Sequence, residues 1–231
     1  MQAVHLFLLW YPIFLFSTTL HEAAHAFAAQ KGGDLTAYNA GLVTFDPLVH
    51  IRREPFGMVL MPLLSFALSG WLVGWASVPF DPLWAARERR RAALMSLAGP
   101  LANLLLAVIA GVAVRIGCAV GVFVAPSHIA FTTITQATSD SWAIAATALS
   151  IVFSLNLLLF VFNLLPVPPL DGSGVLTGLL PRASAERYRA LVSHGQGGFL
   201  GLMAAWLVFD RIFEPIFLWS IGALYPGLGY L

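Results

Sequence analysis

The chain has 231 residues, of which 59% are hydrophobic and only 10% charged, and its mean hydropathy is +0.83. A soluble domain carries about 25% charged residues, so this composition predicts an integral membrane protein. The net charge of +1 and the lack of a long basic tract argue against nucleic acid as a partner. Because Cys118 is the single cysteine, a disulfide framework and a cysteine metal site are excluded, and any metal must be held by His, Asp or Glu.

The first predicted element is a long helix from Ala3 to Gln30, which ends at a helix-stop signal, Gly32 and Gly33. A membrane span needs about 20 residues, so this helix is long enough to cross. Its length and the absence of Lys or Arg ahead of it argue against a cleaved signal peptide. Residues 37–51 then alternate in a way that predicts a short strand or hairpin near the membrane surface.

The rest of the chain is a series of apolar segments separated by polar or proline-rich breaks. Clean spans are predicted at Ala92–Gly117 and Trp142–Leu165, and Phe56–Pro79 is apolar but interrupted by proline and glycine. A further helix is predicted at about Gly198–Phe209, and Asp210-Arg211 separates it from an apolar tail, Ile212–Leu231. Residues 119–140 are only weakly apolar, so their relation to the membrane stays open.

The positions of the basic residues predict the topology. Ten of the 12 Lys and Arg residues lie either between the first helix and Ala92 or between the proline break after Leu165 and the helix predicted from Gly198. They are Lys31, Arg52, Arg53, Arg87, Arg89, Arg90, Arg91, Arg182, Arg187 and Arg189. The positive-inside tendency places these segments in the cytoplasm. Since both flanks of Phe56–Pro79 are basic, a re-entrant hairpin fits this segment better than a single crossing.

The sequence H-E-A-A-H at residues 21–25 lies inside the first predicted span. Positions i and i+4 of a helix share one face, so His21 and His25 can bind one Zn²⁺ while Glu22 activates a water. Ionisable side chains at membrane depth are costly and usually mark function. This pattern therefore predicts a zinc hydrolase with its active site within the bilayer.

A catalytic zinc site needs a third protein ligand, and Asp171 is the best candidate. It follows a proline-rich break at residues 166–169, where the helix must unwind, and it precedes Gly172. The alternative is that Asp171 only caps the following helix. Taken alone the two interpretations have equal weight, but the presence of H-E-A-A-H in the same chain favours a metal ligand.

Two asparagines are predicted to reach the same depth. His21 lies ten residues before Lys31, roughly 15 Å along a helix, and Asn103 lies twelve residues after Arg91, roughly 18 Å from the same surface. Asn103 and Asn163 could therefore bind the substrate backbone or stabilise an oxyanion. The alternative for each is a hydrogen bond between helices, which is common for Asn in membranes.

Three motifs together resemble the site-2 protease family of intramembrane zinc metalloproteases, peptidase family M50, in its compact bacterial and archaeal form. They are H-E-A-A-H at residues 21–25, G-P-L-A-N at 99–103, and the segment 163–172 that ends in L-D-G. The resemblance covers about residues 10–180. It implies His21, His25 and Asp171 as ligands of one Zn²⁺, Glu22 as general base and acid, and Asn103 and Asn163 as active-site polar groups.

The predicted fold is an all-α polytopic membrane protein with about four to six transmembrane helices and a short β-hairpin or re-entrant segment near the active site. Residues 1–231 are expected to form a single domain, with a catalytic core at about 3–180 and C-terminal helices at about 184–231. The predicted function is cleavage of transmembrane protein substrates in a prokaryotic cell membrane, with the site opening to the cytoplasm. A metal transporter or an inactive membrane scaffold are the alternatives, and the oligomeric state stays open.

Overall fold

The computed structural model describes residues 2–193 and 197–227, which are mostly helical. In chain order the elements are α1 (Gln2–Gly32), α2 (Thr36–Asn39), α3 (Pro47–Arg53), a π-helical turn (Phe56–Leu60), α4 (Met61–Ser69), α5 (Pro82–Arg87), α6 (Arg89–Ala119), β1 (Phe123–Val124), β2 (Gln136–Ala137), a 3₁₀ turn (Asp140–Trp142), α7 (Ala143–Asn163), α8 (Asp171–Leu179), α9 (Arg182–Ser193) and α10 (Gly197–Leu224).

The three longest helical predictions in the N-terminal two thirds are confirmed. Helices α1, α6 and α7 cover the segments predicted from Ala3, Ala92 and Trp142, and each boundary differs from the prediction by three residues or fewer. Within the described residues, 89–119 and 140–163 form two helical stretches long and apolar enough to cross a membrane. Continuous apolar runs of this length favour helices because a helix satisfies its own backbone hydrogen bonds.

Helix α6 lies at the centre of the molecule and contacts α1, α7 and α8. One hydrophobic core forms where α6 and α7 meet α10, and it includes Val114, Phe153 and Ile221. A second core joins α1 to α7 through Phe14 and Ile151. Helices α1 and α6 are therefore held side by side, which brings their polar residues together.

Helix α8 packs on α6 through small residues. A β-carbon added at Gly174 would overlap Ser96 Oγ, and one added at Gly178 would overlap the β-carbon of Ala93. Arg89 fixes the end of α8, since its Nη2 donates a hydrogen bond to Leu180 O at 2.6 Å. Close contact of this kind is typical of small residues at helix interfaces in membranes.

Residues 56–81 form a hairpin whose outgoing arm is helical and whose returning arm, from residue 71 to 81, has no regular secondary structure. The arms are joined by hydrogen bonds from Val73 N to Ser65 Oγ (2.9 Å) and from Trp75 N to Gly57 O (3.1 Å). This out-and-back course is the shape that the re-entrant interpretation of Phe56–Pro79 requires.

The predicted strand at residues 37–51 is wrong, because this segment contains part of α2 and nearly all of α3 with a turn between them. Asp34 Oδ1 accepts hydrogen bonds from the amide (2.9 Å) and hydroxyl (2.5 Å) of Thr36 at the start of α2. Asp46 caps α3, and Pro47 occupies its first turn. These local caps favour helical turns over the strand that the alternation of apolar residues predicts.

Two further features differ from the sequence-based expectation. Asp210 and Arg211 do not interrupt the C-terminal helix, because both side chains are exposed and the helical backbone continues through them in α10. The two-stranded antiparallel sheet of the described residues lies between α6 and α7, with Phe123 opposite Ala137. Residues 228–231 of the predicted apolar tail lie outside the described residues.

Candidate metal centre

Helix α1 presents two buried imidazoles one turn apart. His21 and His25 are 7% and 5% exposed, and their Nε2 atoms are 2.9 Å apart. The shared face that the i, i+4 spacing predicts is therefore present.

Asp171 joins this pair from the other end of the sequence. After α7 ends, residues 164–170 run without a helix or strand, and Asp171 is the first residue of α8. Its Oδ2 lies 3.1 Å from His21 Nε2 and 3.3 Å from His25 Nε2. The three residues form a group whose ligand atoms all lie within 4.8 Å of one another. The capping residue of α8 is Leu170, which makes no side-chain cap, so the geometry favours metal binding over the capping role considered for Asp171.

The hydrogen bonds behind the two rings show which nitrogens face the group. His25 Nδ1 lies 2.7 Å from Met95 O, and His21 Nδ1 lies 2.6 Å from Asn103 Oδ1. Both partners are acceptors, so a proton on each Nδ1 satisfies them and leaves the two Nε2 atoms on the side of Asp171 Oδ2. A cation bound between these three atoms would take all of them as ligands.

The spacing of these atoms also fits zinc. Tetrahedral ligands at the usual zinc–nitrogen distance lie about 3.3 Å apart, and the three separations here are 2.9, 3.1 and 3.3 Å. Two imidazoles and one carboxylate are a donor set that catalytic zinc accepts while a fourth position stays open. His21, His25 and Asp171 could therefore hold one zinc ion.

Gly99 allows α6 to pass against the two histidines. A β-carbon at this position would overlap His25 Nε2 and lie 2.6 Å from His21 Nε2. The next residue, Pro100, is fully buried within α6. The glycine of the G-P-L-A-N segment is therefore explained by this close approach.

Glu22 lines the same cavity as the three candidate ligands. The cavity has a volume of about 430 Å³. Glu22 is 5% exposed, and its carboxylate forms no hydrogen bond or ion pair with another described residue. A buried carboxylate that faces a cavity beside a metal-binding group can exchange protons with a water there.

Asn103 is brought to His21, as the depth argument requires, but it does not face the cavity. It is 0% exposed, and its Nδ2 donates to Asn156 Oδ1 at 2.8 Å, while Asn156 Nδ2 donates to Ser17 Oγ at 2.9 Å. The structure thus places Asn103 behind His21, within a chain of hydrogen bonds between helices, rather than where it could contact a substrate or an oxyanion.

Asn163 lines the cavity at the end of α7, and its Nδ2 donates to Leu159 O one turn earlier. Sequence reasoning missed two partners of the site, Asn156 and the carbonyl of Met95. Asn156 had a signal, because it is a second asparagine in the middle of the apolar span that becomes α7. A backbone acceptor such as Met95 O has no signal in the sequence.

The returning arm of the hairpin forms one wall of the cavity, through residues 74–78 and Phe80. Val73 and Trp75 bond to the outgoing arm, and Arg53 Nε of α3 donates to Ser77 O at 3.2 Å. No hydrogen bond within the described residues involves the backbone N–H or C=O groups of Gly74, Ala76 or Val78. This alternation is typical of an extended segment with one paired edge and one unpaired edge.

Comparison with known proteins identifies the family. The model of peptidase family M50 matches residues 11–203. Several relatives bear the name "Putative zinc metalloprotease". YwhC of Bacillus subtilis is 34% identical over 84% of this chain and 83% of its own length, and Rip2 of Mycolicibacterium smegmatis is 33% identical over 85% of this chain and 66% of its own length. Rip2 of Mycobacterium tuberculosis is 33% identical over 84% of this chain and 64% of its own length.

No solved structure matches the chain significantly. The family match covers all three motifs. It includes His21 and His25 on α1, Asn103 on α6 and Asp171 on α8. The chain therefore belongs to peptidase family M50, the site-2 protease family of intramembrane zinc metalloproteases.

Proposed function

We propose that this metalloprotease hydrolyses peptide bonds in or near the transmembrane segments of other membrane proteins. In this proposal His21, His25 and Asp171 hold one zinc ion, and Glu22 is the general base and acid. The observation that carries it is the convergence of His21 Nε2, His25 Nε2 and Asp171 Oδ2 in a cavity that Glu22 also lines.

The zinc ion, when bound, supplies a Lewis acid that polarises a peptide carbonyl and makes a water more acidic. Glu22 takes the proton of the attacking water and then delivers it to the departing amine. Burial of Glu22 keeps bulk water away from this proton transfer.

Asn103 acts in this proposal as a positioning residue. By accepting a hydrogen bond from His21 Nδ1 it fixes the tautomer and the orientation of the ring, and Met95 O does the same for His25. Asn163 lies on the cavity side and is proposed to bind a substrate amide.

The substrate is proposed to bind in extended form along the wall at residues 74–78. A peptide bond inside a helix is protected by its own hydrogen bonds, so the substrate must unwind before it is cleaved. The unpaired edge of Gly74, Ala76 and Val78 offers the backbone partners that an unwound strand needs.

The proposed topology is multi-pass, with about four to six spans and the site opening to the cytoplasm of a prokaryotic cell. The clusters of arginine at the start of α6 and on α9 support this orientation through the positive-inside tendency. Residues 1–231 are proposed to act as one catalytic domain in the bilayer, with a transmembrane protein as its partner.

The proposed function is tested by co-expressing the wild type or Glu22→Gln with a library of single-span proteins and comparing new protein termini by mass spectrometry. Glu22→Gln should remove the cleavage products while the protein still binds stoichiometric zinc, and His25→Ala should lose the zinc. Equal cleavage by wild type and Glu22→Gln, or zinc flux in proteoliposomes that is unchanged in Glu22→Gln, would contradict the proposal.

A further inference from the structure

A second cleft, of about 320 Å³, adjoins the catalytic cavity. Both are lined by the same four residues, Phe80, Met95, Ser96 and Gly174. A peptide that follows the wall towards Phe80 therefore leaves the cavity directly into this cleft.

Two arginines line the cleft from different elements. Arg89, at the start of α6, is held in place by its bonds to the last turn of α8, including Leu180 O at 2.6 Å. Arg189 lies on α9, and its side chain is exposed. Each guanidinium group carries a positive charge and several hydrogen-bond donors.

The charges around the cleft do not cancel. Residues 81–91 and 182–189 contain seven arginines and three carboxylates, which leaves a net charge of +4. One of the carboxylates, Glu88, is already paired with Arg91 at 3.5 Å. A concave surface with an excess of one charge concentrates the field and attracts groups of the opposite sign.

We propose that this cleft binds acidic side chains of the substrate segment that leaves the catalytic cavity past Phe80. The protease then prefers substrates that carry Asp or Glu a few residues from the scissile bond on that side. This inference rests on the proposed function, because that function places a substrate peptide in the cavity. It adds that the site selects substrates by their charge.

The expected effect is moderate, because Arg189 is exposed to solvent. One such charge pair changes kcat/KM by about two- to fivefold. The effect should fall as ionic strength rises, since about 0.5 M salt screens exposed charges beyond a few ångströms.

The test uses the purified full chain in neutral phosphatidylcholine vesicles and three single-span substrates that differ only in the segment flanking the membrane span, which carries Glu, Gln or Lys. For the wild type, kcat/KM should be highest for the Glu substrate, intermediate for Gln and lowest for Lys. Arg189→Glu should remove this preference, because one arginine and one glutamate then line the cleft. The matched control is Arg187→Glu, an exposed residue of the same helix that does not line the cleft, and it should keep the wild-type order.

The outcomes separate the two proposals. Equal kcat/KM for all three substrates, with cleavage that still depends on Glu22, overturns the acidic preference and leaves the protease function intact. Absence of any Glu22-dependent cleavage overturns the proposed function, and the inference with it. The assay is repeated in vesicles that contain anionic lipid. If Arg189→Glu changes the cleavage of all three substrates equally, and only in those vesicles, the cleft binds a lipid headgroup and the inference is overturned.

Discussion

Replacement of Asn103 by Leu tests whether the hydrogen bond behind His21 holds the metal site together. The bond from His21 Nδ1 to Asn103 Oδ1 is 2.6 Å long and fully buried, so no water can replace the lost acceptor. Leucine has a similar size, which limits the change in packing. In Asn103→Leu the proton on Nδ1 has no partner, and neither the tautomer nor the ring orientation of His21 is fixed.

The magnitude follows from two independent estimates. Loss of a residue that orients a metal-binding histidine lowers metal affinity about 10- to 100-fold, which corresponds to about 1.4–2.7 kcal/mol. A buried polar group left without its partner costs about 1–3 kcal/mol. Since the two ranges overlap, we expect the zinc Kd of Asn103→Leu to rise about 10- to 100-fold.

The assay is a competitive zinc titration of the detergent-purified protein against a chromophoric chelator. Asn103→Asp keeps an acceptor for His21 and should retain zinc binding. Asn163→Leu is the matched control, because among the described residues the Asn163 side chain bonds only to Leu159 O of its own helix, and the zinc Kd of this variant should equal that of the wild type. A wild-type Kd in Asn103→Leu, with only the melting temperature lowered, would show that Asn103 serves packing alone.

Three further predictions concern the site and its support. Gly99→Ala should raise the zinc Kd at least about tenfold, since its β-carbon meets both imidazoles, while Gly222→Ala, with no atom within 4 Å of the new β-carbon, should not. Removal of zinc with a chelator should abolish cleavage, and added Zn²⁺ should restore it; cleavage by protein shown to be metal-free contradicts this. Burial alone would raise the pKa of Asp34, but hydrogen bonds from Thr36 and Asp81 lower it. The ionised carboxylate therefore stabilises the fold above the unfolded pKa of about 3.9. This stabilisation is lost as the pH falls through the folded pKa. Asp34→Asn should therefore lower the melting temperature at pH 7, and this difference from the wild type should shrink as the pH falls below the unfolded pKa of about 3.9.

Much of the scaffold could be predicted because single physical rules decide it. Long apolar runs become helices, and the i, i+4 spacing places His21 and His25 together. Distance along each helix correctly placed Asn103 beside His21, although the two residues are 82 positions apart in the sequence.

The features that were missed depend on contacts that apolar patterns do not encode. Residues 37–51 alternate like a strand, but Asp34 accepts hydrogen bonds from Thr36 at the start of α2, and Asp46 caps α3. The depth of Asn103 was right, yet depth along a helix does not say which way a side chain points. The position of Asn103 behind His21 depends on Asn156, its hydrogen-bond partner on a third helix.

The contact of α8 with α6 through Gly174 and Gly178 has a consequence for the order of events during synthesis. His25 and Asp171 are separated by most of the chain, so a ribosome releases the two histidines into the membrane long before the carboxylate. On the proposed ligand set, the nascent protease stays inactive until α8 has docked against α6. Its own unfinished spans, and those of neighbouring chains being inserted, are then safe from cleavage until that helix is in place.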